Sequence, residues 1–159
     1  MDTAYKTTLE LDKVLNRAVQ LCACQETKEM MQALEPAPTI EDERYDLTQT
    51  NAINALLIKN GSPRFGSVRE VRRIVAHARK GGILSMGELL EIAATLRNFS
   101  GLSQWYGLSE HEMLPTDDLF FSLAPQPVLE KQISESILSP EEMADTASVT
   151  LHDLRRKIR

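Results

Sequence analysis

Apolar residues recur along most of this chain at steps of three and four, the spacing that puts them on one face of a helix. Leu11, Val14, Leu15, Ala18 and Val19, continuing through Leu21 and Cys22, predict a first amphipathic helix, with Thr7 or Thr8 placed to cap it. A short second helix is predicted from about 26 to 34, with Met30, Met31 and Leu34 turned inward. Pro36 and Pro38 end it, because proline cannot continue the hydrogen-bond ladder, so the pair reads as a helical hairpin. The acidic stretch Ile40-Glu-Asp-Glu-Arg44 places negative charge where unpaired N–H groups open a helix, and Leu47, Ile53, Ala55, Leu56, Leu57 and Ile58 carry that helix to a stop at Asn60-Gly61-Ser62-Pro63.

Ser67 is predicted to cap a helix with Val68, Val71, Ile74, Val75 and Ala78 on one side and Arg69, Arg72, Arg73 and Arg79 around the remainder, stopped by Gly81-Gly82. This helix is expected to be central, with Val71, Ile74 and Val75 buried. Ser85-Met-Gly-Glu88 has the form of a capping box and introduces Leu89, Leu90, Ile92, Ala93 and Leu96. From Ser100 to Pro127 the glycines and prolines predict broken or short helices around Trp105-Tyr106 and Leu119-Phe120-Phe121. Val128, Leu129, Ile133 and Ile137, then Leu151, Leu154 and Ile158, return to helical spacing. Strict alternation is rare, so the fold class expected is all-α, with no internal repeat, and the chain is expected to stop inside a helix and its natural domain to extend past Arg159.

Composition adds limits. At 42% hydrophobic, 26% charged and 5% aromatic residues, the 159-residue chain is an ordinary globular domain or two very small ones, not a disordered, collagenous or disulfide-rich one. A chain of this length can bury about two thirds of its unfolded surface, enough for one core without staples. Cys22 and Cys24, two apart on a helix, suit neither a disulfide nor half of a metal site, which favours a reducing, cytosolic compartment. The first residues lack a signal-peptide pattern and no run of about eighteen apolar residues occurs, so neither secretion nor a membrane partner is expected.

The candidate chemistry is sparse. Gly61-Ser-Pro-Arg-Phe-Gly66-Ser67 has P-loop glycine spacing, but Ser67 stands where the phosphate-binding lysine belongs and no buried strand precedes it, so the stretch reads as a helix–helix connector. His77, His111 and His152 are far apart and lack metal-ligand spacing. Nothing marks a nucleophile–base pair, and Met30, Met31 and Met86 fit core positions. Charge is more informative: the net charge is −5, yet Arg64, Arg69, Arg72, Arg73, Arg79 and Lys80 oppose only Glu70 between 64 and 80. That face either is solvated, pairing with acids such as those at 41 to 46, or holds phosphates.

Three stretches in fixed order carry a resemblance. Thr8-Leu-Glu-Leu-Asp-Lys-Val-Leu15 precedes a helix with a Cys-Ala-Cys patch; Phe65-Gly-Ser-Val-Arg-Glu-Val-Arg72 continues through Ala78-Arg-Lys-Gly-Gly-Ile-Leu-Ser85 to Glu88-Leu-Leu90; and Ala144-Asp-Thr-Ala-Ser148 is followed by Leu151 and Leu154-Arg-Arg-Lys-Ile158. Together they resemble the amino-terminal end of the bacterial MutS-II family, the MutS-like ATPases without mismatch-reading domains. Glu70 stands where the family has aspartate, and Glu142-Met143-Ala144 where it has a Gly-Glu-Val turn. Ser139-Pro-Glu-Glu142 reads locally as a capped helix start, whereas the family pattern implies an extended turn; the extended turn is expected here.

The resemblance implies a helical core, or lever, domain over residues 1–147 and the start of a long helix toward a DNA clamp over 148–159. It places the ATPase, with ATP and Mg, and a small nuclease domain outside this chain, so no catalytic, cofactor or metal site and no enzymatic activity is expected within it. The implied partners are the rest of its own chain, a second copy in a homodimer, and branched DNA or the ribosome, with roles in suppressing recombination and rescuing collided ribosomes in the cytoplasm. Candidate contacts to nucleic acid or to neighbouring domains are Arg69, Arg72, Arg73, Arg79, Arg155, Arg156, Lys157 and Arg159. The alternative is a free-standing helical module that docks an acidic or helical partner through the Arg69–Arg79 face; a small enzyme ranks last.

Overall fold

The computed structural model describes residues 8–64, 66, 68–108 and 110–158. Among them stand eight α-helices, one two-stranded hairpin and a 3-10 turn. The all-α expectation holds. Helices α1 (Leu11–Leu21) and α2 (Gln25–Gln32) pack on each other as the expected hairpin. Only Met31 of the three residues expected to turn inward is half-buried; Met30 and Leu34 are exposed, because the short helix has a neighbour on one side only.

Helix α3 (Ile40–Asn60) opens as its acids require: the Asp42 N–H donates to Thr39 Oγ1 at 3.1 Å, and Glu41, Asp42 and Glu43 occupy the first turn. It stops at Gly61, whose φ of 73° favours glycine. Helix α4 covers only Arg72–Arg79, with Val71 at its start and no side-chain cap; the Ser67 cap falls outside the described residues. The expected central helix is thus short and peripheral: Ile74 is buried, Val71 half-buried and Val75 43% exposed. Before it, Gly61 and Gly66 are each tied to helix α5 (Met86–Tyr106). Trp105 Nε1 donates to the Gly61 carbonyl at 2.7 Å, and the Gly66 N–H donates to Asn98 Oδ1 at 2.9 Å.

The axis of the fold is α5 (Met86–Tyr106). Its capping box is complete, with Ser85 N–H donating to Glu88 Oε2 at 2.8 Å and Glu88 N–H to Ser85 Oγ at 3.3 Å. It runs unbroken through Ser100 and Gly101, where a break was expected. An exposed interior glycine costs a helix about 1 kcal/mol relative to alanine, and burial of Trp105 and Tyr106 beyond it offsets more than that.

After α6 (Asp117–Phe121) come α7 (Pro127–Ser136), β1 (Ile137–Ser139), β2 (Glu142–Met143), the 3-10 turn Asp145–Ala147 and α8 (Val149–Ile158). Pro127 sits in the first turn of α7, where a missing N–H is harmless. The strands pair antiparallel, Ile137 facing Met143, so the extended turn forms and the capped helix start does not. Ile137 belongs to β1 rather than to the preceding helix.

Two small cores form at opposite ends of α5 rather than one. Ala93, Ile133 and Ile137 make one with Met86, Leu89, Leu90 and Ile92 around them; Leu56, Trp105 and Tyr106 make the other with Ile53, Leu57, Leu114 and Phe120. The chain exposes 12235 Å². A compact protein of 17.9 kDa exposes about 8,000 Å², so the expected two-thirds burial is not reached and roughly 4,000 Å² more stays open.

Candidate functional site

Basic residues expected as contacts lie on α4 and α8 and on the extended stretch before α4. Arg69 Nη1 lies 3.6 Å from Glu91 Oε1 on α5, and Arg72 Nη2 lies 3.3 Å from Glu26 Oε1 on α2. Both pairs are long and exposed, which makes them weak. Arg73, Arg79 and Lys80 make no ion pair among the described residues. With Ile74 turned inward, α4 presents Arg72, Val75, Ala76, Arg79 and Lys80 around an open concavity of about 520 Å³. None of these arginines pairs with the acids at 41 to 46.

The tail behaves differently. Arg155 Nη1 donates to the Met143 carbonyl at 2.9 Å and to Asp145 Oδ1, so it fastens α8 to the hairpin and the 3-10 turn. Arg156 pairs with Asp153 at 3.6 Å one turn earlier. Lys157 makes no ion pair among the described residues, and Arg159 lies outside them. No hydrogen bond or ion pair among the described residues joins the basic positions of α4 to those of α8.

The glycine-rich connector is unlike a phosphate cradle. Its Gly66 N–H is engaged by Asn98, and a Cβ at Gly66 would stand 2.8 Å from Asn98 Oδ1, so glycine serves close packing there. The next helix opens only at Arg72. These residues do not fit a nucleotide phosphate, which needs free N–H groups at a helix start.

A polar cluster that the sequence reading missed closes the α5–α6 end. Tyr106 OH donates to Asp117 Oδ1 at 2.7 Å and lies 2.9 Å from Thr116 Oγ1, which is 1% exposed. The Leu114 N–H donates to Asp117 Oδ2 at 3.2 Å, and His111 Nε2 stands 3.5 Å from Asp117 Oδ1. Phe120 stacks on the Tyr106 ring at 3.9 Å between centroids and His111 meets it edge-on at 4.8 Å. The Tyr106 hydroxyl, then the other donors around it, holds the Asp117 carboxyl below its usual range, while burial pushes the Tyr106 phenol up. The only signal in the sequence was Asp117 two residues after Pro115, the mark of a short helix start. Two other carboxylates are held low, Glu130 by the Arg97 guanidinium at 2.5 Å between α7 and α5, and Glu88 by the Ser85 backbone N–H. All three stabilise local structure. Among the described residues no three His, Cys, Asp or Glu side chains converge as metal ligands, and no helix is long and apolar enough to cross a membrane.

No family model and no solved structure matches this chain. Curated relatives do. Endonuclease MutS2 of Ruminiclostridium cellulolyticum is 31% identical over 161 residues, which takes in 100% of this chain and 20% of that protein. Endonuclease MutS2 of Acetivibrio thermocellus is 30% identical over 157 residues, and that of Clostridium beijerinckii 29% over 153 residues, each covering 95% of this chain. The chain therefore spans about 20% of the length of these relatives. Over nearly its whole length this chain is a homologue of a segment of the MutS2 proteins, and the family resemblance carried by its three motifs holds.

Proposed function

We propose that this chain is a structural, helical part of a MutS2-type protein, a lever that carries ATP-driven motion from elsewhere in a longer chain to a clamp on nucleic acid. The observation that supports this reading is the open surface: the chain exposes about 4,000 Å² more than a compact protein of its size, and Leu21, Ile58, Val128 and Ile158 on its helices are among the exposed large apolar residues. Packed helices with two discrete arrangements can carry coupling energy between distant sites. In this reading ATP and Mg, the nuclease named in the relatives and the dimer contacts belong to the longer protein, which acts in the cytoplasm on branched DNA or ribosomes.

Hydrogen exchange tests it, comparing this chain alone with the same chain inside a full-length MutS2-type protein, with and without ATP. The expected result is added protection on α3 and α8 in the longer protein, changed again by ATP. Unaltered exchange on both helices in every state overturns the reading, as does ATP or DNA turnover by this chain that a point substitution within it abolishes.

A secondary contact with phosphates is proposed for Arg69, Arg72, Arg73 and Arg79, supported by Arg73 and Arg79, which make no ion pair among the described residues, and by the exposed, weak pairs of Arg69 and Arg72. The net charge of −5 opposes any polyanion, so affinity for branched DNA should lie near 10⁻⁴ M, roughly the weak end for nonspecific binding, and vanish in moderate salt. Fluorescence anisotropy over a salt series, with an Arg69, Arg72 and Arg73 triple-alanine variant, measures it. Submicromolar affinity in physiological salt, lost in the triple variant, would make this face a primary nucleic-acid site.

A further inference from the structure

We infer that the groove between α1 and α3 receives the basic face of α4 from a second copy of this chain. This goes beyond the lever reading and stands without it. The groove holds about 530 Å³ and is floored by Leu11, Leu15, Leu34 and Leu47, with Glu35, Glu43 and Asp46 on its rim and no cation among its described lining residues. Leu34 and Leu47 are 52% and 53% exposed and Leu11 and Leu15 half-buried, so the floor is partly open. The face of α4 is its inverse: Val75 and Ala76 at the centre, Arg72, Arg79 and Lys80 around them, and no acid. An apolar centre ringed by one charge, set against an apolar floor rimmed by the other, is the pattern of a helix seated in a groove.

The partner is fixed by charge. The acidic rim selects a basic amphipathic helix, and the chain carries two. Helix α8 is the poorer fit: Arg155 is turned to Asp145, Arg156 is held by Asp153, and only Lys157 remains on it. Helix α4 with its C-cap offers two cations without an ion pair among the described residues, Arg79 and Lys80, on the same side as its exposed valine, and a third, Arg72, whose pair with Glu26 is exposed. Within one copy the two surfaces do not meet, because Arg69 and Arg72 turn to Glu91 and Glu26, and Glu43 and Asp46 make no ion pair among the described residues. Two opposite and complementary surfaces left unpaired on one chain draw two copies together, and salt between them weakens the attraction.

The experiment is sedimentation equilibrium of the 159-residue chain in low and physiological salt. The parent should associate as concentration rises, more strongly in low salt. Glu43→Lys with Asp46→Lys, and separately Arg79→Glu with Lys80→Glu, should each weaken association at least tenfold, and an equal mixture of the two variants should restore it, since each keeps the surface the other has lost. All four positions are exposed, and circular dichroism confirms that each variant keeps its helices. A parent that stays monomeric at every concentration, association untouched by the reversals, or a mixture that does not recover overturns the inference. So does an Arg79→Glu, Lys80→Glu variant that associates like the parent and loses only submicromolar affinity for branched DNA, which would assign the face to nucleic acid.

Discussion

Helices α3 and α5 are each 21 residues long, yet α5 buries Ala93, Thr95, Asn98, Trp105 and Tyr106 whereas α3 buries only Leu56. Both have a good N-terminal cap, and both carry leucines and isoleucines in quantity. The difference is neighbours. Helix α5 lies against α6, α7 and β1 and is bonded on its flank by Gly61 and Gly66, so its inward side is covered along most of its length, with the buried Ser100 hydroxyl left without a partner among the described residues. Helix α3 touches α5 near its C-terminal end and leaves Ile40, Leu47 and Ile58 exposed, the last at 80%. Helical periodicity reports that a face can be buried; burial itself needs something to cover it. One helix is covered along most of its length, and the other keeps much of its apolar face open.

The contrast is sharpest at Trp105. Trp105→Ala removes a ring at the centre of one core and its bond to Gly61, and should cost about 3–5 kcal/mol in urea denaturation. A loss below about 1 kcal/mol would show that the α3–α5 contact contributes little. Tyr106→Phe keeps the ring against Phe120 and leaves buried Thr116 and Asp117 short of a partner, for a loss of about 1–3 kcal/mol.

The same cluster sets a pH dependence. The Asp117 pKa is depressed in the folded chain, so its contribution is present above the ordinary aspartate value of 3.8 and is lost as pH falls through the lower folded value. Stability measured against pH should therefore fall more gently on the acid side in Asp117→Asn than in the parent. Identical acid limbs would remove Asp117 from the account.

Smaller effects probe the helix starts and the open face. Ser85→Ala breaks the capping box of α5 and should cost about 1 kcal/mol by thermal melting. Leu47→Gln on α3 should change the stability of the isolated chain by less than about 0.5 kcal/mol, although the residue is a leucine in a long helix. A loss of about 2 kcal/mol or more, typical of a core leucine, would mean that α3 is buried after all and that its difference from α5 is illusory.

Local chemistry was legible from the residues alone: the helical class, the acidic opening of α3 from Ile40, the Ser85 start, the stops at Gly61 and Gly81, and the motif order that resembles the MutS2 relatives. Each depends on residues a few positions apart, whose backbone preferences act without regard to the rest of the chain. The Ser139–Met143 turn was legible only through family likeness, because its local caps argued for a helix. Tertiary structure alone decided the rest. It ran α5 through Gly101 because Trp105 and Tyr106 found a core beyond it, and it shortened α4 because Asn98 and Trp105 hold the preceding connector. It also made Arg155 a fastener while leaving Arg79 and Lys80 exposed. These outcomes depend on partners 10 to 44 positions away, and only the folded chain brings such residues within hydrogen-bonding distance.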